Sequence, residues 1–229
     1  MKEYMRLESD SIGTMEVPED AYYGVQALRA KENFPITGTR LHPVFIKNLA
    51  KIKRAAAITN RKAGRLKPEI ANAIEASANE VICGMFDKDF IVDGIQGGAG
   101  TSANMNMNEV IANRAIEMLC GKKGDYTIVH PNDHVNMAQS TNDVIPTAGK
   151  LTVLDLLKPL DKSLSLLTDA LYDKAAAFDH IVKIGRTQLE DAVPMRLGQT
   201  FHSYATMISR DRDRLTTVSY THLRAHETV

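Results

Sequence analysis

Residues 151–171 read LTVLDLLKPLDKSLSLLTDAL, and their spacing decides what kind of molecule this is. Val153, Leu157, Leu160, Leu164, Leu167 and Leu171 recur at alternating steps of four and three, a period of 3.5 residues. A strand repeats every two residues and a lone surface helix nearer 3.6, so this seam belongs to a helix packed along other helices. Pro159 falls inside the seam, where it removes one ladder hydrogen bond and crowds the preceding turn, so an interruption or kink is expected there.

Helical spacing also dominates the sequence on the N-terminal side. Phe45, Leu49, Ile52 and Ala56 share one face of a helix that starts at Pro43. A second helix has Pro68 in its first turn, carries Ile70, Ile74, Ala78 and Val81, and stops at Gly84. A third runs from about Ala103 to Leu119 and ends at Gly121. Gly13 and Pro18 break up the first forty residues, which predicts a small hairpin and then a short helix near AYYGVQALRA. After the long seam, HIVKIGRT and EDAVPM read as two short β pieces, and another helix begins near Arg196. Every apolar stripe reads as core, and the class is mainly α.

The bulk properties narrow the function. At 229 residues the chain makes one large domain or one and a half smaller ones. Lys plus Arg equals Asp plus Glu at 28 each, so no basic excess points to nucleic acid. Cys83 and Cys120 fall in apolar helical sequence without metal-ligand spacing, which suits a reducing compartment. MKEYMRLESDSIG lacks the apolar core of a signal peptide and no stretch approaches a membrane span, so a cytoplasmic protein is expected. Helical patterning stops at Val218, and the closing VSYTHLRAHETV resembles the translation of a sequencing-library adapter. On that reading, residues 218–229 are a non-native tail and the His222, His226 pair carries no function.

Three polar loops differ from everything around them. In GGAGTSANMN, residues 97–106, Gly97, Gly98 and Gly100 allow close backbone approach, while Thr101 and Ser102 stand at a helix start that favours an anion. The loop has no Lys-Ser/Thr for a phosphate-binding P-loop, and no GxGxxG follows a strand. In HPNDHVNMAQSTNDVIPT, residues 130–147, Ser140, Thr141 and Asn142 precede the longest helix, with Asn132, Asn136 and Gln139 nearby. One such residue suffices for a cap, so the surplus implies a polar guest or dense mutual bonding. His130 and His134 read as surface or satisfied histidines. In GRTQLEDAVPMRLGQTF, residues 185–201, Thr187 and Gln188 sit at a strand end. Glu190 and Asp191 are adjacent on a strand and face opposite ways, so they read as structural. Hydroxyls and amides with sparse charge suit a small carboxylate held by neutral donors.

These three stretches, with DSIGTMEVPEDAYYGVQALRAKENF before them, closely resemble the signature regions of the aspartase/fumarase superfamily over residues 5–217. The resemblance implies the aspartase/fumarase fold: an N-terminal lyase domain over 1–141 and the start of a central helix bundle over 142–217. Class II fumarases are expected to read Gly-Arg-Thr-His-Thr in the third region, where this chain has Gly185-Arg186-Thr187-Gln188-Leu189. Gln188 and Leu189 followed by EDAVPM look like the ammonia-lyase branch, as does GGAGTS in the first region. The implied reaction is anti elimination of ammonia from L-aspartate to give fumarate, with fumarate hydration or a non-catalytic helical role as the alternatives. By resemblance, Thr101, Ser140 and Thr141 hold the β-carboxylate, Thr187 contacts the α-carboxylate, and Asn142 and Gln188 orient the amino group. The resemblance implies a homotetramer, a small dicarboxylate as the only other partner, and no metal or organic cofactor. The family's base serine lies on a Gly-Ser-Ser loop that this sequence does not contain, so the chain by itself is expected to be inactive and poorly soluble.

Overall fold

A computed structural model describes residues 4–223; His226 and the other residues of the closing stretch past 223 lie outside the described residues. The order is β1 (Met5–Asp10), β2 (Gly13–Pro18), α1 (Val25–Asn33), α2 (Pro43–Lys62), α3 (Pro68–Ile82), α4 (Thr101–Met118), α5 (Thr141–Ala177), β3 (Val182–Thr187), β4 (Glu190–Arg196) and α6 (Leu197–Thr221). A one-turn π-helix over Pro131–Val135 precedes α5. The chain forms two compact units, Met1–Thr152 and Val153 onward. Among the described residues, no helix is long and apolar enough to cross a membrane.

The first unit is built around α4. Its residues from Ala103 to Asn113 are all buried, with α2, α3, the π-helix and the first turns of α5 completing one apolar cluster that includes Leu49, Ile74, Val81, Met107 and Ile111. Four asparagines on α4 are enclosed with them: Asn104, Asn106, Asn108 and Asn113. A helix buried on every side has no amphipathic stripe, so periodicity gives no sign that these polar residues are enclosed.

The β1–β2 antiparallel hairpin is tied to this unit through the N-terminus of α1. Glu109 of α4 accepts from the backbone N–H of Gly24, Gln26 and Ala27 at 2.8–3.0 Å, and Glu8 of β1 accepts from Val25 N–H at 2.9 Å and from Tyr126 Oη at 2.8 Å. Two carboxylates therefore occupy the positive end of one short helix. Burial pushes the Glu109 carboxyl up to about 7, against the pull of those N–H donors.

Several expectations shift. On α2 the enclosed face is Ile46, Leu49, Ala50, Lys53, Ala57 and Asn60, while Phe45, Ile52 and Ala56 are half-buried beside it. The stripe is displaced because small and polar residues occupy part of it, and a reading based on large apolar residues follows its margin. Helix α5 is not interrupted at Pro159: one missing N–H is tolerated, and Ser163 Oγ donates to the Pro159 carbonyl at 3.1 Å. Helix α6 continues to Thr221, past the expected stop near Val218. Cys83, at the cap of α3, and Cys120, just past the cap of α4, are both exposed.

The second unit contains the rest of α5, the β3–β4 antiparallel hairpin and α6. Of the seam residues, Val153, Leu160 and Leu167 are 43%, 45% and 46% exposed. Arg212 of α6 is paired with Asp161 of α5 at 2.8 Å, and Arg196 with Asp179 at 2.9 Å.

Candidate functional site

The site is built where α4 and α5 begin. Gly100 caps α4 with a left-handed φ of 87°, and a Cβ placed there would stand 2.9 Å from Ile145 Cγ2 in the first turn of α5. The glycine therefore does two things: it turns the loop, and it lets the two helix starts touch. The loop before it is held from behind. Asp93, its carboxyl drawn down to about 2 by the backbone N–H of Ile95 and the Thr37 hydroxyl, also accepts from the N–H of Thr37 and Gly38. Gln96 Oε1 accepts from Ala103 N–H at 2.7 Å, so the cap on α4 comes from a glutamine, and neither Thr101 nor Ser102 is spent on it.

Ser140 is the cap of α5: its Oγ accepts from Asn142 N–H at 3.2 Å and its carbonyl accepts from Asp143 and Val144. Thr141, half-buried, is linked to α4 instead. Asn104 Nδ2 donates to Thr141 Oγ1 at 2.9 Å and to Asn136 Oδ1 at 3.1 Å. Asn136 Nδ2 in turn donates to the Gln139 carbonyl at 3.2 Å, and Gln139 Nε2 to the Val135 carbonyl at 2.9 Å. The surplus of amides in 130–147 is thus largely a mutual network. It is incomplete: Asn104 Oδ1, Asn108 Oδ1 and Gln139 Oε1 are buried without a hydrogen-bond partner. His130 and His134 are satisfied locally, the first accepting from Asn132 and Asp133 N–H, the second from His130 N–H.

Thr101, Ser140, Thr141 and Asn142 are therefore gathered at one pair of helix starts in the first unit. Thr101, Ser140 and Asn142 are exposed to solvent there. Two helix N-termini, which carry partial positive charge, thus lie beside three hydroxyls, those of Thr101, Ser140 and Thr141. Thr187 and Gln188 belong to the second unit. Thr187 closes β3 opposite Glu190, and Gln188 with Leu189 forms the two-residue turn, at φ 52° and 66°. Two successive left-handed residues are the hairpin geometry normally given to Asn-Gly, and side chains as large as Gln and Leu are strained in it. Leu189 is fully exposed at the tip. Glu190 and Asp191 lie on exposed β4 and contribute only a loose 3.8 Å pair from Asp191 to Arg186. Asn104 was not singled out from the sequence; its signal was an asparagine one turn inside a helix whose neighbours are all enclosed.

A sequence profile described as "Lyase" matches residues 13–226. The chain belongs to the lyase family. This lyase chain is 52% identical over 211 residues to an aspartate ammonia-lyase from Bacillus sp., covering 92% of this chain and 45% of the relative. It is 52% identical over 220 residues to a class II fumarate hydratase from Halobacterium salinarum, covering 96% of this chain and 47% of the relative. The crystal structure of a fumarate lyase:delta crystallin from Brucella melitensis superposes with a TM-score of 0.88 at 47% identity, over 94% of this chain and 51% of that one. The lyase fold here is thus the aspartase/fumarase fold, and the chain spans about half the length of the curated relatives it matches.

Proposed function

We propose that the full-length protein containing this chain eliminates ammonia from L-aspartate to give fumarate. The observation that carries this reading is the paired helix start, where Gly100 admits Ile145 and Asn104 ties down Thr141, so that neutral donors from two elements converge. Removing the proton beside a carboxylate places a second negative charge on that carboxylate. Donors that are already oriented stabilise this charge without reorganising as it grows. The active site is built from several subunits of the assembled protein: Thr101, Ser140 and Thr141 hold the β-carboxylate, Thr187 meets the α-carboxylate, and Asn142 and Gln188 orient the amino group. The proton is taken by a serine outside this chain, and the residues here bind and steady the charge. The names of several relatives at about 50% identity support the choice of aspartate.

The complete protein works as a cytoplasmic homotetramer in which the exposed seam of α5 is covered by other subunits. Support comes from large apolar side chains such as Leu160 and Leu167 left open to water, a liability for a lone chain. The closing residues past 217 take no part in the chemistry.

A second reading, hydration of fumarate, is favoured by the 52% identical fumarate hydratase. Ammonia release from aspartate and malate formation from fumarate, measured side by side on the full-length protein, separate the two. Gln188→His is expected to lower the first activity. Thr141→Ala is expected to cost roughly a hundredfold in turnover, by the scale of a lost oxyanion donor. Unchanged turnover in Thr141→Ala would refute the cradle, and no turnover of either substrate by the full-length protein would leave a non-catalytic helical role.

A further inference from the structure

One charged group near the site has no part in that chemistry. Lys53, midway along α2, is wholly enclosed on the same face as Leu49, Ala50 and Ala57. An ammonium taken out of water costs several kcal/mol unless it is paired. Among the described residues no carboxylate pairs with Lys53; its hydrogen bond goes to Asn136 Oδ1 at 2.8 Å. Burial alone brings its pKa down to about 7. A methionine would fill the same volume without that penalty, so the position calls for a reason.

The reason lies in what Asn136 does next. Its Oδ1 accepts from both Lys53 Nζ and Asn104 Nδ2, and Asn104 Nδ2 also donates to Thr141 Oγ1 at 2.9 Å. The Lys53 amino group, with the Gln139 carbonyl that accepts from Asn136 Nδ2, fixes which face of the Asn136 amide is turned toward α4. That face fixes the Asn104 amide, which must then donate toward Thr141 and not accept from it. A threonine hydroxyl that is accepting from Asn104 keeps its single O–H to donate elsewhere. Reversal of either amide would offer Thr141 an acceptor and absorb that proton. The buried amino group, a donor to Asn136 whether protonated or neutral, thus helps set the polarity of a hydrogen-bond chain that ends at the α5 helix start.

We propose that Lys53 is a positioning residue of the anion cradle, setting the direction of the Asn136–Asn104–Thr141 chain so that the Thr141 hydroxyl donates to a bound carboxylate. This rests on the reading that Thr141 contacts substrate carboxylate, and a binding measurement tests it separately from turnover. Succinate, a dicarboxylate that cannot be eliminated, is titrated calorimetrically into the full-length protein. The four forms are wild type, Lys53→Met, Thr141→Ala and the double variant, with the fold of each checked by circular dichroism. Lys53→Met is expected to weaken succinate binding about tenfold to a hundredfold in the presence of Thr141, the scale of a hydrogen bond to a charged group. In the Thr141→Ala background the same substitution is expected to change binding less than about twofold, because the chain then ends on nothing. Lys53→Gln keeps a donor for Asn136 and is expected to fall between, and it serves if the methionine variant does not fold. Equal losses with and without Thr141→Ala, or no loss in a folded Lys53→Met, would overturn the assignment. Succinate binding with the expected coupling but no ammonia from aspartate would instead sink the proposed reaction and leave Lys53 in place.

Discussion

Replacing Gly100 with alanine tests whether the contact between the two helix starts matters, and Gly98→Ala supplies the control. Both glycines have left-handed φ, 87° and 71°, so each alanine suffers the same backbone penalty of about 1 kcal/mol. They differ in surroundings: a Cβ at Gly98 meets nothing within 4 Å, whereas at Gly100 it stands 2.9 Å from Ile145 Cγ2 and 3.3 Å from Ile145 Cγ1. Ile145 is half-buried in the first turn of α5 and packs against the core, so relief must come from moving that turn by a few tenths of an ångström. Overpacking of this kind costs about 1–3 kcal/mol, bringing Gly100→Ala to roughly 2–4 kcal/mol against about 1 for Gly98→Ala. The moving turn carries Thr141 and Asn142, and donors displaced by a fraction of an ångström lose several-fold to tenfold in turnover. Urea unfolding and steady-state ammonia release from aspartate measure the two quantities on the full-length protein. Should the two alanine variants prove alike in both, the joining of the helix starts is irrelevant and the geometric basis of the site is lost.

Other perturbations have definite signs. Lys53 has a folded pKa of about 7 and an ordinary value of 10.5, so the unfolded chain binds more protons between those limits. Its contribution therefore rises with pH from about 7 to 10.5, by up to about 1.4 kcal/mol per pH unit, and Lys53→Met should flatten that rise in urea titrations at stepped pH. Glu109 behaves oppositely: its carboxyl is raised from 4.5 to about 7, so the stability it confers is complete below 4.5 and is lost as pH climbs through 7. Glu109→Gln should remove that decline while weakening the α1 start, read as a lower melting temperature at pH 5; an unaltered pH profile would refute the burial argument. At Gly24 an added Cβ would collide with Tyr126 Oη and stand 2.6 Å from Glu8 Oε2 and 2.8 Å from Glu109 Cδ. Gly24→Ala should cost about 1–3 kcal/mol or more in urea unfolding, since neither carboxylate can retreat without dropping an N–H of α1.

The order and kind of nearly every element could be read in the chain, because punctuation and period are local properties. Pro43 and Pro68 open α2 and α3, Gly84 and Gly121 follow the ends of α3 and α4, and the hairpins fall where alternation replaces helical spacing. The family and its fold were legible for a related reason: long polar loops between apolar helices are written in contiguous letters. What was misread depended on neighbours. The α2 stripe was placed off its centre because the reading followed Phe45, Leu49, Ile52 and Ala56 while part of the enclosed face is small or polar, and the end of α6 was set too early where no glycine marks it. Pro159 was given more weight than a helix already formed on both sides concedes.

The sequence by itself determined that Ser140, Thr141 and Asn142 open a long helix, since a cap is set by residues adjacent in the chain. It could not determine that Thr141 is tied to Asn104 while Ser140 alone does the capping, because that bond joins residues 37 apart in the chain. Nor could it determine that a lysine with the composition of a surface residue is enclosed behind them. Hydrogen-bond polarity and the cost of burial belong to a three-dimensional neighbourhood, and α4, enclosed on every side, supplied most of that neighbourhood.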